Sequence, residues 1–172
     1  DSVSEGGGIV SFPYSTYKVK RSLRVSDSKV HLYLNYSTIL VEDDFEEGNL
    51  FVLGYKTNSY IVDGSITNLV VKFTTDRDIY TIDTRHIARF VFSNFLISDC
   101  TGGLFTDSSI GHEITCTNMT LRSSDVWNNT GIYVNFTDSY FADLKPIGFT
   151  EFGIINAGAD NRFYGCHAWS QS

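Results

Sequence analysis

The chain is poor in the residues that stiffen, staple or split a protein. Its 172 residues include 2 prolines, 3 cysteines, 2 tryptophans and 1 methionine. With only Pro13 and Pro146 there is no Pro-rich spacer, and residues 1–172 read as one domain. Cys100, Cys116 and Cys166 are odd in number and far apart, which argues against a disulfide framework. No CxxC or Cys/His spacing marks a metal site, so no cofactor is expected. No run of 18 apolar residues is present, and no membrane insertion is expected. Charge is scarce at 19% and acidic in balance, with a net charge of −7. That argues against a general nucleic-acid binder, which needs a basic surface. The chain opens at Asp1 without a signal-like segment, and it reads as a piece of a longer or processed protein.

What the chain has in quantity is strand formers. Aromatic residues reach 15%, and runs such as Val30-His31-Leu32-Tyr33-Leu34 and Leu69-Val70-Val71-Lys72-Phe73 are broken by Asn, Asp, Ser and Gly. No stretch of ordinary helix length shows an apolar stripe of helical period. Four segments share a frame: Phe92-Ser93-Asn94-Phe95, Cys116-Thr117-Asn118-Met119, Phe136-Thr137-Asp138-Ser139 and Ala159-Asp160-Asn161-Arg162. Their anchors Asn94, Asn118, Asp138 and Asn161 lie 24, 20 and 23 residues apart. Short strands repeating at that period predict an all-β solenoid. Positions two and four before each anchor are apolar and expected to face inward. The anchors are expected to take left-handed turn angles and to stack as an amide ladder. Residues 74–78 read as a protruding loop, and 123–129 as another.

The frame also proposes chemistry. Asp99 and Asp143 both follow their anchors by five residues, two coils apart. One column would then hold two carboxylates with backbones ~9.6 Å apart, close to the ~6.5–9.5 Å between the carboxyl groups of an inverting glycosidase. Arg89, Glu113 and Tyr133 fall five residues before their anchors on the outer face, a set suited to holding a sugar by charged hydrogen bonds and ring stacking. Trp127, in a polar loop, is a further candidate for substrate binding.

The opening Gly6-Gly7-Gly8-Ile9-Val10-Ser11-Phe12-Pro13, followed by Tyr14-Ser15-Thr16-Tyr17, resembles the start of pectate-lyase-like right-handed β-helices. Ser15 stands where that family usually has Gly. The closing Asn161-Arg162-Phe163-Tyr164-Gly165-Cys166-His167-Ala168-Trp169 is similar to a coil of bacteriophage tailspikes. The resemblance implies a right-handed single-stranded parallel β-helix in a homotrimer on a virion tail. Its partner would be bacterial surface polysaccharide, bound or depolymerised by a hydrolase or lyase. A non-catalytic adhesin and a cellular polysaccharide lyase are the alternatives, because this fold hosts many functions.

Overall fold

A computed structural model describes residues 7–54, 60–75, 77–100, 102–123 and 130–169. Among them there is no helix. Short strands wind into a parallel β-solenoid of about six turns. Among the described residues every strand pairing is parallel and joins successive coils. The longest path of the large sheet runs through Gly8–Ser11, Val30–Tyr33, Ser65–Phe73, Val91–Cys100, Thr115–Ser123, Tyr140–Ile147 and Arg162–Tyr164. A three-stranded sheet (Leu23–Val25, Asn49–Leu53, Tyr80–Thr84) continues through a bridge from Ile82 to Phe105. Hydrogen bonding from Leu104 to the Gly131 carbonyl carries that face on to Ile132–Val134 and Ile154–Asn156.

The alternation of the sequence explains which side is dry. Phe90, Phe92, Ile114, Cys116, Val134 and Phe136 are all buried, as the apolar positions before the anchors predict. Ala157 and Ala159, the last of these positions, are exposed instead. The interior is threaded by rings. Phe92 meets Phe105 at 5.6 Å, Phe105 meets Phe136 at 5.0 Å, Phe136 meets Phe141 at 6.4 Å and Phe141 meets Phe163 at 4.8 Å. Phe163, at the end of the row, is exposed, whereas full burial of Phe92, Phe105, Phe136 and Phe141 stabilises the fold by roughly 1.5–3 kcal/mol per ring before entropy is counted.

Two corners turn each coil, and both use left-handed backbone. In five successive coils they stand at 63 and 68, 89 and 94, 113 and 118, 138 and 143, and 160 and 165, five residues apart and all with positive φ; the coil before them has its positive φ at Lys29 and at Asn35 and Tyr36. The second corner carries the amide ladder, in which Asn118 donates to Asn94 and Asn94 donates to Asn68, each at 2.9 Å. Here the sequence frame needs correction. Thr117 pairs with Ala142 and Met119 with Leu144, so the partner of Asn118 is Asp143, not Asp138. Asp138 and Asp160 belong to the first corner, stacked above Glu113. Asn161 ties that corner by donating to the Phe136 carbonyl at 2.7 Å. Asn and Asp suit either corner for the same conformational reason, so residue type alone does not tell the corners apart.

The first coils are held by exposed ion pairs: Lys18–Glu42 and Lys20–Asp44 at 2.8 Å, Arg21–Glu46 at 2.7 Å and Arg24–Glu47 at 2.9 Å. Of the stretch 74–78, Thr74, Arg77 and Asp78 are exposed, and residue 76 lies outside the described residues. Thr75 and Ile79 are buried, and Arg77 donates to the Phe45 carbonyl. The longest coil lies earlier, between His31 and its partner Ser65.

Candidate functional site

Three glycines open successive coils of one face: Gly103-Leu104-Phe105, Gly131-Ile132-Tyr133 and Gly153-Ile154-Ile155. A Cβ on Gly103 would sit 2.5 Å from the Thr130 carbonyl oxygen, and one on Gly131 would sit 2.9 Å from that of Gly153. Only glycine lets these coils approach so closely. The triplets bring Phe105, Tyr133 and Ile155 into one column, with Tyr133 directly paired to Ile155.

Over this column lies a cleft of about 280 Å³. Tyr80, Tyr133 and Phe152 give it aromatic walls, Asp107 and Glu151 give it carboxylates, and Thr130 gives it a hydroxyl. Phe152 is 56% exposed, a large apolar ring turned to solvent. Burial pushes the Tyr80 phenol above its ordinary value, and the charges of Asp78 and Asp107 push it further. Burial likewise raises the Asp78 carboxyl. Asp83 on the same face is buried but satisfied, by Thr106 at 3.2 Å and by Arg85 at 3.3 Å. Rings beside carboxylates can stack on the apolar face of a sugar and accept from its hydroxyls. A larger hollow of about 380 Å³ lies at the first corner, lined by Asp138, Ser139, Tyr140, Asp160 and Arg162, with a single aromatic ring.

Of the residues expected from sequence, Tyr133 lines the cleft. Arg89 and Glu113 do not join it. They share the first corner on another face, where Arg89 is bound to Asp63 through contacts of 2.7 and 3.2 Å. Arg89 holds the Asp63 carboxyl below its ordinary value chiefly by these hydrogen bonds. Asp99 and Asp143 are not in one column. Asp143 stands at the amide-ladder corner, whereas Asp99 lies five residues beyond that corner, at an irregularity near the end of Val91–Cys100. Five extended residues span about 16 Å, more than the ~9.5 Å upper limit for an inverting pair. Trp127 lies outside the described residues. Among the described residues, no group of three or more His, Cys, Asp or Glu side chains is placed to hold a metal ion.

Tyr80, Asp107, Glu151 and Phe152 escape the sequence frame. The Gly-apolar-apolar triplets mark this coil face and lie within two residues of Asp107, Glu151 and Phe152, whereas Tyr80 follows no such triplet.

Neither a protein-family model nor a curated protein matches the chain. Among solved structures it is similar to one from Parabacteroides merdae described as a "putative glycosyl hydrolase". The likeness has a TM-score of 0.60 at 13% identity and covers 95% of this chain and 83% of that one. At that identity it shows the shared solenoid fold.

Proposed function

We propose that the chain binds polysaccharide along the strand face that carries the cleft. The observation behind this reading is the meeting of Tyr80, Tyr133 and Phe152 with Asp107 and Glu151 in one open groove. A solenoid suits a polymer, because the groove continues from coil to coil. Bacterial surface polysaccharide is the substrate class that the tailspike-like closing motif favours. With it goes the placement of the chain in a homotrimer on a virion tail.

The test is affinity electrophoresis through gels cast with candidate bacterial polysaccharides. Tyr133→Ala and Phe152→Ala should each weaken retardation by about tenfold, since a stacked ring contributes roughly 1–2 kcal/mol. Retardation unchanged in both variants would remove the cleft from the binding site. Sedimentation checks the trimer separately, and a stable monomer of the full-length protein counts against it.

A second reading is cleavage of the bound glycan. It is favoured by the two carboxylates in the cleft and by the description of the fold neighbour. A hydrolase would use one of them as acid and the other as base or nucleophile. New reducing ends that disappear in Asp107→Asn and Glu151→Gln support it. Binding without any product favours the adhesin.

A further inference from the structure

We infer that the cleft selects a glycan bearing a free, protonated amine, such as a de-N-acetylated hexosamine, over neutral or uronate polymers. This rests on the glycan reading above and narrows it to a substrate class.

The inference comes from where the cations go. No described residue lining the cleft is Lys, Arg or His, while Asp107 and Glu151 both line it. Other basic residues already have partners: Lys18, Lys20, Arg21 and Arg24 pair with acids of the next coil, Arg89 with Asp63, Arg85 on this face with Asp83, and Arg77 donates to the Phe45 carbonyl. Residues 90–172 carry 8 Asp and Glu against 3 Lys and Arg. Those three, Arg122, Lys145 and Arg162, all sit on strands of the large sheet, not on the cleft strands. Among the described residues neither Asp107 nor Glu151 forms an ion pair, so both carboxylates face whatever enters the cleft.

A uronate would bring its own carboxylates against that field with no guanidinium or ammonium to receive them. A neutral sugar would gain hydrogen bonds but no charge complementarity. An ammonium group gains both the carboxylates and the ring faces of Tyr80, Tyr133 and Phe152, since aromatic faces attract cations within about 6 Å. Tyr80 and Asp107 line the same cleft, so ring face and carboxylate are both open to one bound group.

The test is calorimetric titration with three oligosaccharides of equal length: glucosamine, N-acetylglucosamine and galacturonate oligomers. The pH is kept mildly acidic, so that the amines are charged. The expected result is glucosamine binding about tenfold or more tighter than either alternative, weakening as salt is raised. Asp107→Asn and Glu151→Gln should each remove most of that preference, weakening glucosamine binding far more than N-acetylglucosamine binding. Circular dichroism of both variants checks that the strands are retained. If the N-acetylated or uronate oligomer binds as tightly as the amine, the selectivity is wrong and the glycan reading stands. If glucosamine binds tightly but both variants keep the preference, the cleft is not its source and the inference fails. If none of the three binds and no polysaccharide retards the protein, both readings fall together.

Discussion

Asn118 donates its side-chain amide to Oδ1 of Asn94 at 2.9 Å, one rung of a ladder that continues to Asn68. Asn94 is the middle of that run and holds φ at 60°. Replacing it by Ala removes both hydrogen bonds, strains the corner and leaves the nearly buried Asn68 without its donor. Asn94→Ala should cost about 2–4 kcal/mol in urea unfolding, the strain and lost bonds combined. Asn94→Gly should recover part of this, because glycine takes positive φ freely. Equal losses in the two variants would show that backbone strain plays no part.

Asp143 ends the run of amides with a carboxylate, which can only accept, as Oδ1 of Asn118 does. Asp143→Asn would supply a donor pointing along the ladder. The variant should raise stability by about 1 kcal/mol, the worth of one added hydrogen bond. The same substitution separates the ladder reading from a catalytic one, which would require loss of activity. A lower urea midpoint would count against the ladder.

Acid should loosen the early coils first. Asp63 is held below its ordinary value by Arg89, Asp44 by Lys20, and Glu47 by Ser22 and then Arg24. A carboxyl whose folded value lies below its unfolded one adds stability above the unfolded value. That stability disappears as pH falls through the folded value. Melting temperature should therefore be flat through neutral pH and drop below about pH 4, where carboxylates ordinarily titrate. Asp63→Asn should shallow that drop. An identical acid slope in the variant would mean the Arg89 pair contributes nothing.

The three thiols should divide by burial. Cys100 and Cys116 are fully buried, and burial pushes Cys100 up to about 12 and Cys116 well above its ordinary value. Cys166 is half-buried. A thiol reagent at neutral pH should label one site per native chain and three in urea, because the thiolate is the reacting form. Rapid labelling of two sites in native protein would contradict the packing.

Fold and site were legible to different depths. The solenoid could be read because apolar alternation and turn residues recur locally, and Asn94 and Asn118 were correctly matched. The phase slipped at Asp138 because its neighbours Phe136 and Thr137 imitate the residues before Asn118. What distinguishes the ladder corner is an apolar residue immediately after it, as with Phe95, Met119 and Leu144. Ser139 after Asp138 fails that criterion. The slip moved Tyr133 into a column with Arg89 and Glu113 and paired Asp99 with Asp143. The cleft was harder still. Its residues come from coils of unequal length, so no constant spacing links Tyr80, Asp107, Tyr133 and Glu151.

Phe105 lines the cleft and also belongs to the interior row of rings, packed between Phe92 and Phe136. The base of the groove is thus anchored in the part of the molecule least able to rearrange, since close-packed interiors resist deformation. A ligand arriving there meets a surface whose shape is set before contact. Little conformational freedom remains for binding to extinguish, and affinity is not drained by ordering the receptor. Any adaptation has to come from the glycan, which must present a conformer that fits.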